Sequence, residues 1–373
     1  MITVIADDIT GAAEIAGVAW SHGVNAVLST DSIQPTKDTD VLVIATDTRS
    51  CSETDAIIET QRLATQLLNG NYGIVFKKTD SVLRGHIIAE LDTLANILNF
   101  EQVLLLPQNP SKGRKIEKGN YYINGQPLSH TAFKNDPEFP AKSSSIQEML
   151  CNCVNILELS GNLVPNKKRI YVAEASTNED ISIQLGKAKG NVLLAGGADL
   201  FKELLQKEFP DSQVRTTNDK IIPQEYSIIV CGSTQSEDIT LRPFAKVSKT
   251  YNAVIPENVF KGEPAESWLT SLPDQYLQHK SIAITIGQKE NGGSQCAVRL
   301  RNIMAEAVQK LVTTHSPALL IIEGGATAYS IIKKLHWDTL VLKAEYSPGI
   351  VGMTHCDTEI ILKPGSYPWG SIL

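Results

Sequence analysis

No stretch of this sequence stays apolar for the roughly 20 residues that a membrane-spanning helix needs, so a spanning helix is excluded. Positive charge is not in excess either: 34 Lys and Arg stand against 41 Asp and Glu, for a net charge of −7 at pH 7. Such a chain does not grip nucleic acid or acidic lipid through a broad field, and any anion it binds must be held by local clusters. Cysteine is sparse and scattered, at Cys51, Cys151, Cys153, Cys231, Cys296 and Cys356, and only Cys151 and Cys153 lie close together. Without a second Cys or His pair at ligand spacing, a structural zinc site is not expected. Two nucleotide fingerprints are missing as well. There is no Gly-x-Gly-x-x-Gly after the first strand-like run, which argues against a doubly wound dehydrogenase, and no Gly-Lys-Ser/Thr ending of a Walker loop. The chain opens directly on a strand-like run, without a basic and then apolar leader, and a reducing cytoplasm is the expected compartment.

What is present is an alternation of short apolar runs with helical periodicity over 373 residues, enough for two domains at about 150 residues each. The expected fold is α/β, with two α/β domains of mainly parallel strands. The polar, aperiodic stretch Asp211–Gln224 reads as the linker, giving domains 1–222 and 223–373. In open sheets of this kind, ligands sit outside the carboxyl ends of the strands. Three such ends carry charge. Ile2–Ala6 runs into Asp7-Asp8-Ile9-Thr10-Gly11; Val41–Thr46 runs into Asp47-Thr48-Arg49; and Gly73–Phe76 runs into the turn Lys77–Gly85, KKTDSVLRG. Right-handed crossovers bring these ends to one edge. Arg84 can fork onto a carboxylate, Lys77 can supply a point charge, and Asp80 can accept from an alcohol. Each feature also has a plain structural reading: a solvated turn with a local Asp–Arg pair, or an aspartate capping a helix. Capping accounts for one of Asp7 and Asp8 more readily than for both, since adjacent carboxylates repel unless a cation, metal or hydroxyl lies between them.

Beyond the strand Val103–Leu106, the segment from Pro107 to about Pro140 has no clear periodicity, yet it contains Tyr121, Tyr122, Ile123 and Phe133 and reads as a folded flap. Arg114 in its first loop can face a phosphate or carboxylate, or simply solvent. Ile146–Leu157 reads as a helix. In the second half, Cys231-Gly232-Ser233 ends one strand and Glu323-Gly324-Gly325-Ala326-Thr327 ends another, each before a helical stretch. Bare glycines there let backbone N–H groups approach a phosphate at a positive helix end.

Ala6 to Ala12, Lys77 to Gly85, the Pro-x-x-Pro-x-x-Gly-Arg loop Pro107 to Arg114, His130 to Phe133 with Asp136-Pro137, Cys231 to Ser233 and Gly324 to Ala328 run in one order along the chain. Together they resemble the four-carbon acid sugar kinase family, which phosphorylates threonate, erythronate or 3-oxo-tetronate. The resemblance implies an ATP-dependent phosphotransferase using Mg²⁺, with sugar acid and nucleotide bound between an N-terminal acid-binding domain and a C-terminal nucleotide-binding domain. It implies Arg49 and Arg84, assisted by Lys77, on the acid's carboxylate, with Arg114 also among the substrate-binding residues. Asp7, Asp8 and Asp80 would hold its hydroxyls, with Asp8 and Asp80 the catalytic candidates and Asp8 orienting or deprotonating the attacking alcohol. Ser233, Gly324, Gly325, Ala326, Thr327 and Gly365 would meet the nucleotide. The chain departs from the family at Ala326, where an acid is usual, at Val82, where Thr is common, and at His86, where Asn is common. The alternatives are a non-catalytic sugar-acid-binding paralogue and a kinase of another small hydroxy acid. Oligomeric state is left open, with a homodimer among the options.

Overall fold

The computed structural model describes residues 1–373 except 32–34, 71, 137, 165, 218–219, 223, 233–249, 288–292, 366–368 and 370–373. It falls into two units, one of residues Met1–Ala26 and Ile33–Val214, the other of Val27–Ser32 and Arg215–Leu373.

Runs such as Ile2–Ala6 and Val41–Ala45 have no polar alternation because both faces are covered by helices, which is the sequence mark of a parallel strand. In the first unit β1 (Ile2–Ala6) leads to α1 (Ile9–Ser21). β2 (Ala26–Ser29) leaves for the second unit, and β3 (Val41–Ala45), α2 (Glu53–Leu68), β4 (Ile74–Lys78), α3 (Ile87–Ile97) and β5 (Gln102–Leu106) continue the first. The flap is the antiparallel sheet β6 (Arg114–Glu117), β7 (Asn120–Ile123) and β8 (Gln126–Pro127). α4 (Ile146–Met149), β9 (Asn155–Leu157), β10 (Ile170–Ala173), α5 (Asn178–Leu185), β11 (Val192–Gly196) and α6 (Ala198–Glu208) complete the unit. Its sheet has the order β3-β1-β4-β11-β5-β10-β9 and is parallel throughout. All five residues of β1 are buried, and Phe76 of β4 meets Phe201 of α6 edge to face at 5.2 Å.

The second unit contains β12 (Ser227–Cys231), β13 (Tyr251–Val254), α7 (Glu257–Phe260), α8 (Glu266–His279), β14 (Ser281–Thr285), α9 (Gly293–Thr314), β15 (Leu319–Glu323), α10 (Gly325–Leu335), β16 (Leu340–Ser347), β17 (Ile350–His355) and β18 (Thr358–Lys363). β13-β14-β12-β15-β18 are parallel neighbours, extended by antiparallel β17 and β16, and β2 adds antiparallel to β16. Among the described residues, no helix is long and apolar enough to cross a membrane.

Two differences from the sequence expectations bear on function. β4 runs through Lys77 and Lys78, which composition alone assigns to the turn; both lysines are buried. The helix expected over Ile146–Leu157 stops at Met149, because Cys151 and Asn152 adopt left-handed backbone (φ 51° and 57°) and turn the chain into β9. The helical stretch expected after Ser233 lies outside the described residues.

Candidate functional site

In-register pairing fixes the first cluster. Ala6 of β1 is aligned with Ala45 of β3 on one side and Lys78 of β4 on the other, so Asp7, Thr46 and Thr79 follow along one carboxyl edge. Asp47 takes left-handed backbone (φ 55°), and the Arg49 N–H returns to the Asp7 carbonyl at 3.1 Å. Its guanidinium then lies among three carboxylates: Nε to Asp7 Oδ2 at 2.8 Å, Nη2 to Asp7 Oδ1 at 2.8 Å and to Asp8 Oδ1 at 2.6 Å, and Nη1 to Asp80 Oδ1 at 3.7 Å. Asp8 also caps α1, accepting from the Gly11 N–H at 3.0 Å. Capping and cation binding therefore share this one side chain.

Arg84 forks onto Asp80, Nε to Oδ2 at 3.1 Å and Nη2 to Oδ1 at 2.9 Å, and its Nη1 reaches Asp136 of the flap at 3.0 Å. Asp80 Oδ2 further accepts the N–H groups of Val82 and Arg84 at 3.1 and 3.2 Å. Burial alone would raise the Asp80 pKa, but the charge of Arg49 and the hydrogen bonds and charge of Arg84 outweigh it and hold the carboxyl well below its ordinary range. The flap closes the cluster from another direction. Arg114 donates to the Ser81 hydroxyl, Tyr121 donates to the Ser81 carbonyl, and the Phe133 ring lies 5.6 Å from the Arg84 guanidinium and 5.8 Å from that of Arg114.

Asp7, Asp8, Arg49, Asp80 and Arg84 thus come together, with Arg114 joined to them through Ser81. Lys77 does not join them. Successive residues of a strand face opposite sides of the sheet, and Lys77 turns towards α3, where its ammonium is 2.9 Å from Glu90 Oε2 while the Thr48 hydroxyl donates to Glu90 Oε1. Its side chain is buried there against α3, on the opposite side of the sheet from Lys78. Lys78 turns the other way, onto α1. The sequence reading named Ser81, Phe133 and Asp136 within motifs but gave them no role, because their contacts join the turn after β4 to the segment beyond β8. It missed the Lys77–Glu90 pair although strand alternation alone separates the two lysines.

The second unit repeats the edge geometry. Cys231 of β12 aligns with Glu323 of β15, and Glu323 with Lys363 of β18, so Gly232, Gly324 and Pro364 follow side by side. Gly232 N–H donates to the Glu323 carbonyl at 3.0 Å, and Gly324 N–H to that of Lys363 at 2.9 Å. A Cβ on Gly232 would sit 2.0 Å from Thr327 Oγ1, so only a glycine lets the β12 end pack against the first turn of α10. Gly324 precedes α10 with no side-chain cap, which leaves the start of this 11-residue helix to its backbone N–H groups. Thr327 is buried in that turn and Ala326 is exposed on it, with no acid in the turn. Gly365 follows Pro364 beside it, and Ser233 lies outside the described residues. Beneath the turn, Lys363 Nζ is 3.3 Å from Glu323 Oε1 and donates to the Pro364 carbonyl at 3.0 Å, both side chains being buried. Among the described residues, no group of three or more His, Cys, Asp or Glu is arranged to hold a metal ion.

A family model described as the sugar-binding N-terminal domain matches residues 2–204, and the chain belongs to that family. Its relatives include a 3-oxo-tetronate kinase of Actinobacillus succinogenes, 23% identical over an alignment covering 98% of this chain and 96% of that one. A D-threonate kinase of Salmonella typhimurium is 32% identical over 39% of this chain and 35% of its own. The fold matches the crystal structure of a Haemophilus influenzae protein at a TM-score of 0.74 with 17% identity, covering 99% of this chain and 98% of that one.

Proposed function

We propose that this protein is an ATP-dependent kinase that transfers the γ-phosphoryl group to a hydroxyl of a four-carbon sugar acid of the threonate, erythronate or 3-oxo-tetronate type. The observation that carries the reading is the convergence of Asp7, Asp8 and Asp80 on the Arg49 guanidinium, in a chain that aligns along 98% of its length with a 3-oxo-tetronate kinase. Phosphoryl transfer asks little covalent help of a protein; it asks for alignment and for charges already in place. Three carboxylates locked on one cation offer rigid acceptors for sugar hydroxyls. Asp8, 15% exposed against 2% for Asp7 and 7% for Asp80, is the one a ligand can reach most readily. It orients the attacking hydroxyl and takes its proton as the new O–P bond forms.

The acid's carboxylate falls to Arg114. Arg49 and Arg84 spend their forks on aspartates, whereas among the described residues the Arg114 guanidinium meets the Ser81 hydroxyl and the face of Phe133. The first unit is then the acid-binding half. The second is the nucleotide half, with the bare turn Gly324–Thr327, Gly232 and Gly365 meeting phosphate oxygens through backbone. Mg²⁺ would arrive on the phosphates with most of its own waters, neutralising their charge.

The test is ADP release from ATP and Mg²⁺ over a panel of four-carbon acids. Turnover with at least one of D-threonate, D-erythronate or a 3-oxo-tetronate supports the reading. Turnover only with another hydroxy acid would move the substrate class, and a protein that binds the acids but neither ATP nor ADP would be the non-catalytic paralogue. Replacing Arg114 by Met removes a charge-assisted contact worth about 1.5–3 kcal/mol. The KM for the acid is expected to rise about 10- to 100-fold, with a smaller change in kcat.

A further inference from the structure

Lys78 is the residue of this cluster with a capacity still unspent. Its ammonium is buried at 3% exposure and donates to the Thr79 carbonyl at 3.0 Å. Its ion pair with Glu14 Oε2 is longer, at 3.5 Å, while Lys112 holds the other oxygen of Glu14 at 2.5 Å. An ammonium has three donors, and one that meets the Thr79 carbonyl at 3.0 Å and Glu14 at 3.5 Å has room for another acceptor. Burial would raise the Glu14 pKa, but Lys78 and Lys112 outweigh it and keep the carboxyl low, so Glu14 is an ionised bridge between two cations, and the charge of Lys78 also acts on Asp80. Gly11 fixes where that charge points. A Cβ built there would lie 2.8 Å from Asp8 Oδ1 and 3.2 Å from Lys78 Nζ, so the carboxylate and the ammonium border one spot that a side chain would fill.

We propose that Lys78 is a further substrate-contacting residue, its ammonium taking an oxygen of the phosphoryl group as that group reaches the hydroxyl held by Asp8. The inference rests on the kinase reading and names the phosphoryl side of its site. A point charge with rotatable donors suits a phosphoryl oxygen, and the planar fork of Arg114 suits the acid's carboxylate. In the step, the acceptor oxygen bonds to phosphorus, the bond from phosphorus to the ADP oxygen breaks, and the hydroxyl proton passes to Asp8. Lys78 keeps its protons throughout and neutralises charge. Lys112, on the loop that leads to Arg114, ties that loop through Glu14 to the same point.

Inorganic phosphate is the probe, titrated into the full chain and followed by ³¹P NMR line width. Lys78→Gln is expected to weaken phosphate binding at least tenfold and Lys78→Arg by less than threefold. Glu14→Gln, which removes the competing carboxylate, is expected to tighten it about threefold. Equal phosphate affinity in wild type and Lys78→Gln, or weaker binding in Glu14→Gln, would overturn the assignment; the Glu14 variant decides the matter if Lys78→Gln does not fold. With a turned-over acid, Lys78→Gln is expected to lower kcat about 100-fold while the KM for the acid stays within threefold, and the reverse split would also overturn it. A wild type that turns over no acid, yet loses phosphate on Lys78→Gln, would end the kinase reading and leave the anion contact standing.

Discussion

Replacing Asp8 by Asn is expected to lower kcat by about 10²- to 10⁴-fold, the usual range for loss of a positioned general base, while the melting temperature moves little. The amide keeps the shape of the side chain and can still accept from the Gly11 N–H, so the cap on α1 survives. Arg49 retains Asp7 on two of its nitrogens and Asp80 nearby, so it is not left as a lone buried cation. What disappears is the proton acceptor. Asp7→Asn is the contrasting variant: Asp7 is almost wholly buried and both of its oxygens are spent on Arg49, so its loss should weaken the site's rigidity and lower stability more than it alters the chemistry. Steady-state kinetics with thermal melts on the two variants measures the contrast. Full activity in Asp8→Asn would remove Asp8 from the role of base.

Lys77→Met is expected to cost about 3–5 kcal/mol of stability, the range for breaking a buried ion pair by removing one partner. Glu90 would remain 1% exposed with its charge answered only by the Thr48 hydroxyl. Pairing the change with Glu90→Gln should recover most of the loss, because no stranded charge is then left in the core. Urea unfolding of wild type, single and double variants measures the coupling directly. Any folded Lys77→Met should keep the KM for the acid within about threefold, since Lys77 faces α3; a large rise in KM at unchanged stability would return Lys77 to the ligand.

The lesson of the two lysines is general to this chain. Parallel strands were legible because both of their faces are buried and their residues are mostly apolar, as in Ile2–Ala6 and Val41–Ala45. α2, Glu53–Leu68, has the spacing of an amphipathic helix, and the Ser52 hydroxyl accepts from the Asp55 N–H at its start. A strand that ends in buried charges breaks that apolar rule, and the sequence reading therefore cut β4 short at Phe76. The flap was legible only as an ordered segment without period, since strands of two to four residues carry too few alternations to declare themselves. The antiparallel hairpin β16–β17 went unread for a related reason: its register shifts at two places, which blurs the period of two. As for the site, carboxylates and arginines at strand ends could be named from sequence. Which cation each carboxylate already holds depends on pairings 42 or 52 residues apart, as for Arg49 with Asp7 and Arg84 with Asp136, and no local pattern encodes these.

The excursion of residues 27–32 has a consequence for anyone who wishes to cut the gene. A fragment starting at residue 215 would lack β2, and β16 would present a bare row of main-chain donors and acceptors where Val27 and Leu28 now pair with Val341 and Leu340. Naked borders of this kind recruit strands from other molecules. Separate expression of the C-terminal half therefore calls for grafting the missing ribbon back on, or for shielding that border with charge, before its ligands can be studied in isolation.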